Sequence, residues 1–297
     1  MFHSAKARNL HWQDRSIDMN PLKKVLIFTY YWPPAGGVAV QRWLKFSKYL
    51  PEFGWEPIII TVKNGSYPYY DKSLLKEISP SLRVYSTKTF EPFELYNLLR
   101  GKKGKLLPVV SVGNHQNKSF FQKISEYVRA NFFIPDARMG WVPYAGKQAE
   151  EILKNEKIDA IVTTGPPHST HLIGLKLKKK FGVKWLADFR DPWTGIFYNE
   201  FLPRTEATKR KDGKLETAVL KNADSVIAIS NGIKEMLQSS GCKHAEVIAN
   251  GFDFEVSSLA KDKPQNKKFI LGHIGSCVAQ LNSEGLWKSM QELINEE

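Results

Sequence analysis

Three short segments hold residues whose types and spacing could do chemistry. In Thr163-Thr164-Gly165-Pro166-Pro167-His168-Ser169-Thr170-His171 a hydrophobic run ends, a bend follows and a helical pattern begins. A neutral imidazole at such a junction can donate to a hydroxyl or to a developing charge. His168 is therefore the functional candidate, although it or Ser169 could also serve as a helix cap. His171, one turn further on, reads as structural. In Ala187-Asp188-Phe189-Arg190-Asp191-Pro192-Trp193 two carboxylates flank a guanidinium beside an indole. Carboxylates can hold hydroxyls, an indole can cover an apolar ring face, and Asp188 or Asp191 could bind a cation or act as a base. The alternative is an internal ion-pair network that shapes the loop. The third segment is the Pro33-Pro34-Ala35-Gly36-Gly37 bend that follows the run Val25 to Tyr31. Its glycines would let a ligand approach the backbone, and the amides at the start of the next helix would attract an anion. Arg42, one turn into that helix, could reach a phosphate or could be a surface cation. The bend could also be a turn that binds nothing. It carries neither a G-x-G-x-x-G pattern nor a G-K-[ST] ending.

Two weaker turns follow the same plan. Asn250-Gly251 ends a short apolar run and signals a turn. Gly275-Ser276 ends another, with amides open to an anion.

The elements that must position these residues are legible as alternation. Strand-length runs occur at 25–30, 57–62, 82–86, 159–164, 183–189, 225–230, 246–249 and 269–275. Several are nearly continuous in hydrophobicity, as suits strands buried on both faces of a parallel sheet. Helical patterns alternate with them: a first helix stopping near Gly54, then 119–131, 141–154, 171–180, a helix that Asn231 could cap, and 284–296. This order predicts an α/β fold with a doubly wound, Rossmann-like parallel sheet. Residues 1–21 read as a polar extension, 100–118 as a long loop, and 255–268 as a polar, Lys-rich linker. No internal repeat is present.

Composition sets outer bounds. The chain has 297 residues, 42% of them hydrophobic, and carries 43 Lys and Arg against 30 Asp and Glu, a net charge of +13. Such an excess suits phosphorylated ligands or an anionic membrane face. The basic runs 102–105, 176–180 and 209–214 lack the interleaved aromatics of single-strand nucleic-acid binders, so nucleic acid is not expected. Two cysteines, Cys242 and Cys277, match neither a zinc spacing nor a disulfide scaffold and suit a reducing cytoplasm. No apolar run approaches the ~20 residues of a membrane-spanning helix, so any membrane contact is expected to be peripheral, at the inner face.

Taken in order, the segments YYWPPAGGVAVQR, TTGPPHSTH, DFRDPW, SVIAISNGIKE, VIANGFD and LGHIGS resemble a glycosyltransferase of the GT-B fold, family 4 type, over residues 22–296. The resemblance implies two Rossmann-like domains facing across a cleft, the first for the acceptor and the second for most of a nucleotide-sugar donor. It implies sugar transfer to a glycan or lipid-linked acceptor in surface polysaccharide or glycolipid synthesis. Retention of configuration is implied too, with no metal or other cofactor. Carried over by position, Gly36 and Gly37 would lie beneath the donor diphosphate and acceptor, and His168 near the transferred sugar. Asp188, Arg190 and Asp191 would line the acceptor side, Asn250 and Gly251 would mark the crossover between domains, and Gly275 and Ser276 would begin the donor domain. The second domain's diphosphate-binding Arg and Lys and its glutamate motif have no counterpart here. The expected division is an acceptor domain at 22–262 and the start of a donor domain at 263–297. A non-catalytic glycan- or partner-binding module is the alternative. A nicotinamide-dependent oxidoreductase is disfavoured by the glycine spacing.

Overall fold

The computed structural model describes residues 21–90, 120–253, 270–274 and 282–295. The polar extension, the 100–118 loop, the 255–268 linker, Gly275 and Ser276 lie outside the described residues.

Seven strands form one sheet: β1 (Lys23–Phe28), β2 (Trp55–Val62), β3 (Arg83–Thr87), β4 (Ala160–Gly165), β5 (Lys184–Phe189), β6 (Ser225–Ala228) and β7 (Ala245–Val247). Their order is β3-β2-β1-β4-β5-β6-β7, and every pairing is parallel. The helices are α1 (Val38–Tyr49), α2 (Phe120–Phe132), α3 (Val142–Asn155), α4 (Ser169–Phe181), α5 (Glu206–Asn222), α6 (Asn231–Ser239) and α7 (Glu284–Asn295). Leu26, Ile27, Phe28, Ile58, Ile59 and Ile60 are fully buried, which is why their runs show no polar alternation.

Side-chain alternation in β4 and β5 shows the two layers. Trp185 and Phe189 point to one face, where the Trp185 indole donates to Thr163 Oγ1 at 2.9 Å and Phe189 stacks on His171 of α4 at 4.3 Å. Asp188 and Thr164, one residue out of phase, point to the other face and meet α1. Right-handed crossovers require this arrangement: the chain winds from β1 to β2 in one direction and from β4 to β5 in the other, so α1 and α4 cover opposite faces.

Local stops follow ordinary rules. Gly54 ends the turn after α1 at φ +78°, and Gly182 ends α4 at φ +65°, both left-handed positions that favour glycine.

Several expectations need correction. α6 is capped by Ser230, whose hydroxyl accepts from the Ile233 amide, and Asn231 is already helical. β7 sits one residue earlier than its hydrophobic run, because pairing with β6 sets its register. The described residues 270–274 pair with no strand, and Ile270, Leu271 and Ile274 are exposed. α4 begins at Ser169, two residues before its apolar pattern does. α5 escaped the sequence reading because its mostly charged surface hides a narrow seam that buries Val219 and Leu220.

Candidate functional site

The winding direction reverses between β1 and β4, which are hydrogen-bonded neighbours from Val25 opposite Ala160 to Phe28 opposite Thr163. Loops leaving the carboxyl ends of these two strands diverge to opposite faces and leave a crevice, where open α/β sheets bind ligands. The glycine bend follows β1, the Pro166-Pro167-His168 turn follows β4, and Arg190 to Trp193 follow β5.

The glycine bend is held from behind. The Gly36 amide donates to Tyr69 O and the Asp71 amide to Pro34 O, both at 2.9 Å. A Cβ on Gly36 would stand 3.1 Å from Asp71 Cβ. Gly37 is exposed, at φ +93°, with nothing within 4 Å of the position its Cβ would take. α1 starts there with no side-chain cap and no acid in its first turn. The helix start thus presents amides and a partial positive charge to open space.

Arg42 is neither a phosphate ligand nor a surface cation. It is buried and donates from Nε and Nη2 to the Asp188 carboxylate, at 3.2 and 3.0 Å. The same carboxylate accepts from Trp43 Nε1 at 2.7 Å and Thr164 Oγ1 at 2.8 Å. Asp188 is fully buried with both oxygens engaged, so it ties α1 to β4 and β5 and presents nothing to a ligand. Arg42 Nη1 continues to Ala249 O at 3.3 Å and Asn250 Oδ1 at 3.1 Å. This anchors the exposed Asn250-Gly251 segment, which returns from β7 across α1.

His168 occupies the N-cap position of α4, but its side chain caps nothing. Asp136 does that work from another loop, accepting from the Ser169 amide and hydroxyl at 2.8 Å each. His168 is 7% exposed, both its ring nitrogens are buried, and among the described residues neither has a hydrogen-bond partner. It lies flat on Trp193, 5.2 Å between centroids and 9° between planes. Burial first, and the Arg190 charge second, push its pKa down to about 3; the Pro192 carbonyl nearby opposes this slightly without completing a hydrogen bond. The ring is a neutral donor and acceptor at physiological pH. His171 is buried beneath it, shares a 2.8 Å hydrogen bond with Thr163 Oγ1, and is structural.

Trp193 is not an open platform for a sugar. It is 2% exposed, covered by His168 on one face, and its indole N–H donates to Asp212 Oδ1 at 2.8 Å. Asp212 is also ion-paired to Arg204 at 2.6 Å. Trp193 therefore supports His168 from beneath.

Arg190 is 8% exposed. Its Nε donates to Gly165 O at 3.2 Å, its amide donates to the same oxygen at 3.0 Å, and Nη2 donates to Pro166 O. It thereby clamps the turn that carries His168. Asp191 is half-buried and makes no hydrogen bond or ion pair among the described residues. Burial raises its pKa against the opposing pull of Arg190.

Sequence reasoning missed Tyr31, Asp136 and Arg138. The Arg138 amide donates to Asp136 Oδ1 at 2.9 Å, an Asx turn that Asp-x-Arg after a proline could have signalled. The Asp136–Ser169 contact spans 33 residues and leaves no local trace. Among the described residues, no three His, Cys, Asp or Glu side chains cluster as a metal site. No described helix is long and apolar enough to cross a membrane.

Solved structures similar to this chain include sucrose-phosphate synthase from Thermosynechococcus elongatus, at 16% identity and TM-score 0.46 over 78% of this chain and 49% of that one. A shorter segment of that synthase aligns at 15% identity and TM-score 0.42, over 80% of this chain and 94% of the segment. Anabaena HepE in complex with UDP-glucose aligns at 14% identity and TM-score 0.43, over 80% and 48%. The chain thus spans about half the length of the whole synthase and of HepE. No curated protein matches it. The family model described as Glycosyltransferase Family 4 matches residues 95–256, more than half of the chain. This protein belongs to glycosyltransferase family 4.

Proposed function

We propose that the protein transfers a sugar from a nucleotide-sugar to an acceptor hydroxyl, with the crevice between β1 and β4 as its site. The observation that carries this reading is one juxtaposition. The open glycine bend with its uncapped helix start and the neutral, unpartnered His168 leave adjacent strands at the point where the winding reverses. An uncapped helix start favours the charge of a departing diphosphate, and fixed amides need no reorganisation as that charge develops. A neutral His168 ring held by Trp193 would hydrogen-bond the transferred sugar without competing as a cation. Asp191, the unpaired carboxylate at the tip of β5, is suited to orient an acceptor hydroxyl.

The finer assignments follow the resemblance. Transfer is retaining and metal-independent, with residues 22–262 as the acceptor domain and 263–297 as the beginning of the donor domain, which Gly275 and Ser276 open. The acceptor is a glycan or lipid-linked glycan of a surface polysaccharide or glycolipid, met by a cytoplasmic protein at the inner membrane face. The net charge of +13 suits that location.

The test is incubation of the protein with a panel of nucleotide-sugars and lipid-linked or glycan acceptors, following nucleoside diphosphate release and product configuration by NMR. Transfer with retention that falls about 100-fold in His168→Ala supports the reading. Saturable glycan binding with no turnover for any donor contradicts it and makes the chain a binding module.

A further inference from the structure

Among the described residues no hydrogen bond holds the His168 ring, so its place is set by the surface it rests on and by the helix it opens. Both supports lead to one buried ion pair. Beneath the ring lies the Trp193 indole, 5.2 Å away and 9° from parallel. That indole is fixed by its N–H, which donates to Asp212 Oδ1 at 2.8 Å. The other oxygen of the same carboxylate accepts from Arg204 Nη1 at 2.6 Å. Arg204 Nη2 donates in turn to Pro135 O at 2.9 Å. Pro135 precedes Asp136, whose carboxylate accepts from the amide and hydroxyl of Ser169, the residue after His168. A chain of contacts thus leaves His168 through Trp193, crosses Asp212 and Arg204, and returns to Ser169 through Asp136.

The backbone of the Trp193 turn has anchors of its own. Asn199 donates to the carbonyls of Trp193 and Thr194 at 3.0 and 3.2 Å, and the Thr194 hydroxyl donates to Glu216, one turn along α5 from Asp212. What Asp212 adds to these is the direction of the indole. The Arg204–Asp212 pair is nearly dry, with side chains 8% and 1% exposed. Attraction within such a pair is largely offset by the desolvation of its two charges, so stability alone is a weak account of it. Its geometry, with one carboxylate oxygen for each donor, suits exact placement of a neighbouring group.

Resting on the proposed transfer reaction, we infer that Arg204 and Asp212 are positioning residues for it. Acting through Trp193 on one side and Asp136 on the other, they aim the His168 ring at the transferred sugar without themselves meeting it. A ring held slightly off its place costs rate more than affinity.

NMR of the whole chain with labelled histidine reads the ring directly and needs no turnover. Face-on stacking on an indole shifts the His168 ring protons upfield. In Arg204→Met/Asp212→Leu, which leaves no unpaired charge from this pair, those signals should move back toward the positions of an unstacked imidazole. In the same variant kcat should fall about ten-fold or more, with the donor KM within about two-fold of the wild type. Arg204→Gln is the milder second variant, for use where circular dichroism shows that the double variant fails to fold. Its shorter amide falls short of Pro135 while Asp212 keeps the indole. The Ser169 amide should then exchange about ten-fold faster and the His168 signals should move part of the way. Glu156→Gln breaks the ion pairs with Lys24 and Arg83 at the amino ends of β1 and β3, and it controls for lost stability alone. It should leave the His168 signals and kcat unchanged. Unmoved His168 signals in the folded variants, a rise in KM in place of the fall in kcat, or equal movement in Glu156→Gln would overturn the positioning role. Wild-type His168 signals without an upfield shift would overturn it too. Signals that move as expected in a chain whose wild type transfers no sugar would contradict the proposed function and leave the placement of His168 by Arg204 and Asp212 standing.

Discussion

Arg42 and Asp188, 146 residues apart in sequence, meet in a fully buried ion pair with a 3.0 Å Nη2–Oδ1 contact. The pair joins the helix after the glycine bend to the strand that leads to Arg190, and Arg42 Nη1 reaches the returning segment at Asn250. The relative placement of the three loops that form the crevice depends on it.

Asp188→Asn should therefore be costly, because it leaves the Arg42 charge buried without a counterion. A loss of about 3–5 kcal/mol is expected in urea denaturation. The double variant Arg42→Leu/Asp188→Leu should recover part of that loss, since neither charge remains. A double variant no better than the sum of its parts would remove the ion pair from the account.

The histidine pair sets a pH dependence. The His168 pKa lies at about 3 in the folded protein, and that of His171 lies well below its usual value. The unfolded chain titrates near 6.5. Between these values the unfolded state binds more protons, so each neutral imidazole contributes stability that is fully present above about pH 6.5. That stability is lost as pH falls through the window toward 3, with a slope of about 1.4 kcal/mol per pH unit for each ring. His168→Phe, which preserves stacking on Trp193, should flatten the slope between pH 6 and 4 by about one proton. Urea midpoints measured across that range decide it; identical slopes would mean that His168 titrates normally.

Gly165 is a packing glycine. A Cβ there would stand 2.6 Å from His171 Nε2 and 2.9 Å from His168 Nδ1, both atoms of rings that are stacked and cannot swing aside. Gly165→Ala should cost about 1–3 kcal/mol, and it should lower transfer more than stability by displacing His168. Parallel denaturation and transfer assays separate the two effects.

Asp136 should matter to α4 in spite of its distance in sequence. Asp136→Ala removes the acceptor for the Ser169 amide, and a loss of about 1–2 kcal/mol is expected. Hydrogen exchange at the start of α4 would show it as faster local opening. Exchange there as slow as in the wild type would mean that the cap is redundant.

The sheet was legible because its strands are buried on both faces: Ile58-Ile59-Ile60 has no other reading in a chain of this pattern. The candidate site was legible only in part. Position relative to strand ends is a local property, so the sequence could place the glycine bend and His168 just beyond two strands. Burial and pairing are not local. Asp188, Arg190 and Asp191 are three charges within four residues, yet alternation in β5 sends Asp188 toward α1, while the turn beyond the strand holds Arg190 against two carbonyls and leaves Asp191 without a partner among the described residues. Trp193 looked like a sugar platform because nothing nearby announces Asp212 on α5 as its partner.

The central claim is that the glycine bend and His168 border one ligand site. Amide NMR on the labelled chain, titrated with UDP-sugars and glycan acceptors, tests it most directly. The account predicts that Gly36, Gly37, His168 and Ser169 shift together in one saturable event while the Ala245–Val247 strand stays still. Shifts at the bend without shifts at His168, or saturation elsewhere with both unmoved, would contradict it.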